Sequence, residues 1–77
     1  MISSTQPHSN LPNLLRMVEQ ITGYFKAYPR DYAVDHIADH IQKFWEPRMR
    51  RELLDHAAAG GAGLSDLAKL AVQKIKA

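Results

Sequence analysis

The sequence predicts an all-helical fold, a small bundle of about four short helices, and three observations carry that prediction. Apolar residues recur at steps of three and four in separate stretches, the spacing of amphipathic helices. Pro29, Pro47 and the run Gly60-Gly61-Ala62-Gly63 punctuate those stretches. No segment alternates apolar and polar residues as a half-buried strand would.

The elements follow in order. Met1 to Asn10 is polar, carries Pro7 and His8, and reads as a flexible N-terminal tail over residues 1–10. Residues 11–77 then form a single helical domain. A first helix is predicted from Leu11 to Ala27, with Asn10 as its N-cap and Pro12 in its first turn. Its stripe is Leu11, Leu14, Leu15, Val18, Ile21, Phe25 and Tyr28. Gly23 interrupts it, at a cost of about 1 kcal/mol relative to alanine, and marks either a weak point or a close backbone approach. Pro29 ends that helix, and Asp31 is placed to cap a second one from Tyr32 to about Trp45. Val34, Ile37, Ala38, Ile41, Phe44 and Trp45 form its inward stripe. Asp35, His36, Asp39, His40 and Lys43 face outward, with Asp39 and Lys43 spaced to pair. Pro47 opens a third helix to about Ala59, with Met49, Leu53, Leu54 and Ala57 inward and Ala57 to Ala59 allowing close helix contact. The glycines end it, and Ser65 caps a fourth helix along Leu64, Leu67, Leu70, Ala71 and Ile75.

Length and composition narrow the function. A chain of 77 residues buries only about 60–65% of its unfolded surface, so its core is thin. Cysteine is absent, which removes disulfides and thiolate metal sites as staples and leaves close packing, self-association or a partner protein. The net charge is +2, less than the broad basic stripe of a dedicated nucleic-acid binder. The N-terminus has no apolar core of a signal peptide, and no run approaches the roughly 20 residues of a membrane span. The expectation is a cytoplasmic protein.

The candidate chemistry is sparse. His36 and His40 are four apart on one helical face, and H-I-A-D-H approaches the H-x-x-E-H zinc motif with aspartate for glutamate. No third ligand accompanies them, so no metal site is assigned. Asp35-His36 and Asp39-His40 lack a nucleophile in a recognisable context, so no catalytic residue is assigned. The glycine run lacks the spacing of a phosphate loop, and no cofactor-binding residue is assigned. Arg48, Arg50 and Arg51 crowd the first turns of the third helix beside Trp45. Arg48–Glu52 and Arg51–Asp55 can pair at i,i+4, whereas Arg50 has no such partner. Arginine beside tryptophan is the mix enriched at protein interfaces, so this corner is read as a docking surface. The expected interface residues are His40, Phe44, Trp45, Arg48, Met49 and Arg50. The competing reading is a small helix-turn-helix-like nucleic-acid module using the Arg48–Arg51 helix, which Glu46 and the glycine-free turn disfavour.

The same corner carries a resemblance. The run from His40 to Arg50 (H-I-Q-K-F-W-E-P-R-M-R), with Leu53 and Gly60-Gly61-Ala62-Gly63-Leu64, resembles the delta subunit of NAD-dependent formate dehydrogenase. Leu15-Arg16-Met17, Gln20-Ile21, Phe25, Pro29, Ala33, Val34, Ile37 and Ala38 extend the similarity, from Leu14 to about Leu67. The resemblance implies a non-catalytic accessory subunit of a cytoplasmic molybdenum or tungsten enzyme. In that family the alpha subunit holds a bis-molybdopterin guanine dinucleotide centre and iron–sulfur clusters. Beta carries FMN and binds NAD, and gamma holds a further iron–sulfur cluster. Delta is associated with assembly, stability or cofactor loading. The expected partner is the catalytic alpha subunit, with beta and gamma in the complex and no cofactor on this chain. Self-association of the free chain is a further expectation of its small size.

Overall fold

The computed structural model describes residues 10–77, which form four α-helices with no strand among them. They are α1 (Leu11–Phe25), α2 (Arg30–Phe44), α3 (Pro47–Ala58) and α4 (Asp66–Val72). The expected tail lies outside the described residues except for Asn10.

Helix starts differ from expectation in two places. Asn10 does not cap α1: its backbone is already helical, and its Oδ1 instead accepts a bond from Asn13 Nδ2 at 3.1 Å. Asp31 does not cap α2. The helix begins earlier, at Arg30, because the Pro29 carbonyl already accepts from the Ala33 amide at 2.9 Å. Asp31 therefore sits inside the first turn, where a carboxylate suits the positive end of the helix dipole. α1 stops at Phe25, two residues sooner than expected, and nothing lies within 4 Å of where a Cβ on Gly23 would stand. Gly23 thus marks no close approach.

The glycine stop and the serine cap form as expected. Gly60, Gly61 and Gly63 all take positive φ. The Gly61 amide donates to His56 O at 3.0 Å and the Gly60 amide to Ala57 O at 3.1 Å, the paired bonds of a Schellman ending. His56 Nε2 then donates to Ala62 O at 2.7 Å and ties the loop back to its helix. Ser65 Oγ accepts from the Ala68 amide at 3.3 Å. The Ser65 amide donates to the Glu19 carboxylate at 3.0 Å, fastening the start of α4 to α1.

The core gathers Leu14 and Val18 of α1, Ala33, Val34, Ile37, Ala38 and Ile41 of α2, Trp45, Leu53 of α3, and Leu64, Ala68, Ala71, Val72 and Ile75 around α4. α4 packs against all three other helices, most extensively on α2. The buried alanines at the α2 and α4 faces are Ala33, Ala38, Ala68 and Ala71; of the expected run, Ala57 packs against the core, whereas Ala58 and Ala59 are exposed. Thr22, outside the predicted stripe, is buried with its hydroxyl unpartnered. Tyr28 and Phe44 were expected inward, yet Tyr28 lies exposed in the turn after α1 and Phe44 is 72% exposed.

Candidate functional site at the α2–α3 corner

The corner is made by Pro47. A residue before proline is pushed to extended angles, and Glu46 takes φ −68° and ψ 154°. Trp45 has already left the helix at φ −91° and ψ 141°, although its amide still donates to Ile41 O at 3.0 Å. This extended pair sends the two adjacent rings in opposite senses. Trp45 is buried in the core, whereas Phe44, the last helical residue, stays on the flank of α2 beside His40, with ring centroids 4.9 Å apart.

The three arginines also divide. Arg50 turns back against α2 and the C-terminal segment. Its Nε donates to Lys76 O at 2.8 Å, and its Nη1 donates to Gln42 O at 3.3 Å and to Trp45 O. Gln42 O, in the last turn of α2, and Trp45 O, on the C-cap residue just past it, belong to the helix end that has no intrahelical partner, so the guanidinium acts as a C-cap supplied from another helix. Gln42 completes the clasp, accepting from the Lys76 amide at 2.7 Å and donating to Lys76 O at 3.0 Å. Ile75 is buried beneath it, and Lys74 Nζ bonds Asp35 at 2.6 Å. That hydrogen bond, and then the charge of Asp35, raise the Lys74 pKa above its usual 10.5.

Arg48 and Arg51 remain exposed, and neither closes on Glu52 or Asp55 as an ion pair. The expected Asp39–Lys43 pair does form, at 3.2 Å. Met49 is half-buried against the core. Of the six interface candidates, then, Phe44 and Arg48 are exposed and His40 and Met49 are half-buried. Trp45 and Arg50 are engaged within the chain. A nucleic-acid reading of Arg48–Arg51 loses its central cation, because Arg50 is held by carbonyls.

The two helix histidines have separate neighbours. His36 stacks on Tyr32 with centroids 3.8 Å apart, and its Nδ1 donates to Tyr32 O at 2.9 Å. His40 faces Phe44. Among the described residues no group of three or more His, Cys, Asp or Glu side chains is placed to hold a metal ion. No helix there is long and apolar enough to cross a membrane.

One feature escaped the sequence reading. Tyr32, His36, His40 and Phe44 fall at successive steps of four and line one flank of α2. Phe25 of α1 meets His36 at 5.8 Å and Tyr24 at 5.2 Å. Between the helices Gln20, Ile21, Tyr24, Phe25 and His40 line a groove of about 270 Å³. The i,i+4 ring spacing was the available signal.

Comparison with known proteins gives one family. The model of the NADH-dependent formate dehydrogenase delta subunit, FdsD, matches residues 13–72, which include the whole corner. No curated protein and no solved structure matches the chain. The match spans most of the sequence, and the chain belongs to the formate dehydrogenase delta subunit family.

Proposed function

We propose that this chain is a non-catalytic accessory subunit of a cytoplasmic NAD-dependent molybdenum or tungsten formate dehydrogenase. It docks on the catalytic alpha subunit and supports assembly, stability or cofactor loading of the complex. The bis-molybdopterin guanine dinucleotide, FMN, NAD and iron–sulfur groups belong, in this reading, to the partner subunits. A chain without cysteine offers no thiolate to a cluster.

The observation that supports a docking role is the sorting of the corner within the family-matched segment. Phe44 and Arg48 project from a backbone that Trp45, Arg50 and Gln42 hold in place, with His40 and Met49 beside them. A large exposed ring and an arginine in no ion pair, four residues apart on a braced backbone, are suited to binding with little ordering cost. The mechanism is mass action: a chain that binds only the folded or loaded partner shifts the partner toward that state.

The test is co-expression of the tagged chain with the other formate dehydrogenase subunits. The chain should co-elute with them, and enzyme made without it should hold less metal per alpha subunit or lose activity faster on warming. Arg48→Glu with Phe44→Ala should weaken co-elution while leaving the melting temperature of the free chain unchanged. Enzyme made without the chain that equals the full complex in metal content, activity and heat stability would overturn the proposal.

A further inference from the structure

We infer that the groove between α1 and α2 receives an amphipathic helix of a formate dehydrogenase subunit, one whose apolar ridge is flanked by carboxylates. This rests on the proposed role in the complex and extends it from the α2–α3 corner to a second surface that includes Tyr24 and Ile21.

The groove has the shape and lining for such a segment. It runs between two packed helices, and its lining is Gln20, Ile21, Tyr24, Phe25 and His40, with no charged carboxylate or ammonium group. Tyr24 is 76% exposed and Phe44, against His40, is 72% exposed. Two such rings on neighbouring helices form an apolar lane that the fold itself leaves uncovered, and a helix laid in a groove reads such a lane with side chains at i, i+3/i+4 and i+7. The walls are preset. Phe25 is in ring contact with Tyr24, Tyr28 and His36, while Tyr32 stacks on His36, whose Nδ1 is fixed to the backbone.

Charge sorting selects the flanks of the occupant. The carboxylates of α2, Asp31, Asp35 and Asp39, occur at steps of four, each one residue before a ring and so about 100° around the helix from it, and Asp35 is engaged there by Lys74. Glu19, the one acid of α1, lies on the opposite flank of its helix and is bound to the Ser65 amide. Exposed cations flank the groove residues along the chain: Arg16 one turn before Gln20, Lys26 directly after Phe25, Lys43 directly before Phe44, and Arg48 four residues after Phe44, with Lys43 paired to Asp39. Arg16 bonds only the neutral Asn13 side chain, at 2.8 Å, and Arg48 is in no ion pair. A groove whose lining carries no acid, and whose neighbours along the chain include the cations Arg16, Lys26 and Arg48 in no ion pair, is complementary to an acidic, not a basic, amphipathic helix.

The experiment titrates the full chain into formate dehydrogenase complex purified without it. Variants are chosen at exposed positions, so that the free chain keeps its helical spectrum and melting temperature. Tyr24→Ala should weaken binding about tenfold or more, as loss of an exposed interface ring does. Tyr24→Glu should weaken it further than Tyr24→Lys, by about tenfold at low salt, and the gap should narrow at 0.5 M salt (~4 Å screening length). Asp39→Asn, about 100° around α2 from His40, should change affinity less than about twofold. If the wild-type chain does not bind, the accessory-subunit reading itself fails. If it binds and all Tyr24 variants match it, the groove is not the contact. Equal losses for Tyr24→Glu and Tyr24→Lys would overturn the acidic occupant. A free chain that sediments as a dimer and is split by Tyr24→Glu would assign the groove to a second copy instead.

Discussion

Arg50 is the position where the structure makes its most specific claim about stability. Arg50→Ala removes three hydrogen bonds to carbonyl oxygens, of Lys76, Gln42 and Trp45. A bond from a charged donor is worth about 1.5–3 kcal/mol net when well sheltered. The guanidinium is half-buried and the Lys76 bond is exposed, so we take roughly 1 kcal/mol for each, and about 2–3 kcal/mol in all. A domain of this size has a total stability of only about 4–10 kcal/mol, so the loss is a large fraction of it. In a melt followed by circular dichroism it should appear as a fall of about 10–20 °C. Arg50→Lys should recover less than half of that, because an ammonium cannot reproduce the planar fork reaching toward separate carbonyls. Because the acceptors are neutral, the loss should persist in 0.5 M salt. Arg48→Ala, two residues away and exposed, should shift the melt by no more than about 0.5 kcal/mol. If Arg50→Ala melted within 3 °C of wild type, at roughly 0.5 kcal/mol or less, or if Arg48→Ala cost as much, the clasp would not be holding the corner.

Thr22→Val should stabilise the chain by about 1 kcal/mol, read as a higher melting temperature, because it removes a buried hydroxyl that has no hydrogen-bond partner and keeps the shape. Gly23→Ala and Gly61→Ala should move in opposite directions. The first places a methyl in open space within α1 and should gain up to about 1 kcal/mol. The second forces alanine to φ +66° with its Cβ 3.3 Å from Lys69 Cε, and should lose at least about 1 kcal/mol in a denaturant titration. The Lys74–Asp35 bond sets an alkaline limit. A lysine whose folded pKa is raised stabilises fully below its unfolded value and loses that contribution as pH rises through the raised one. Melting curves of wild type and Lys74→Met should therefore differ at pH 7 and converge as the pH rises above the usual lysine value of 10.5 and through the raised one.

The helices were legible because their signals are local. Pro12, Pro29, Pro47 and the glycine run act within a few residues, and Ser65 caps the helix that directly follows it. The errors arose where local signals compete. Asp31 is a good capping residue, but Pro29 already supplies the first helical acceptor, and a helix has only one start. Phe44 and Trp45 both fall near the inward side of α2 by angle, and periodicity assumes the helix continues through both. It ends between them, so the extended backbone decides which ring turns in. The destinations of Arg50 and Gln42 were not legible at all, since their partners at Lys76 lie 26 and 34 residues away.

That division bears on how the family signature should be read. The segment F-W-E-P-R-M-R carries the resemblance as one block, yet its residues do different work. Trp45 fills the core, Pro47 sets the break, and Arg50 caps α2 while gripping the C-terminal segment. Phe44 and Arg48 are what remains facing outward. The Arg48→Glu/Arg50→Glu pair, natural to choose from the sequence as a binding test, would therefore confound two effects: it would loosen the fold through Arg50 and alter the surface through Arg48. Separating them requires Arg48→Glu alone for docking and Arg50→Ala alone for stability. If the assignment is right, the two phenotypes do not overlap. Arg48→Glu lowers affinity for the other subunits at an unchanged melting temperature, and Arg50→Ala lowers the melting temperature of the free chain before any partner is added.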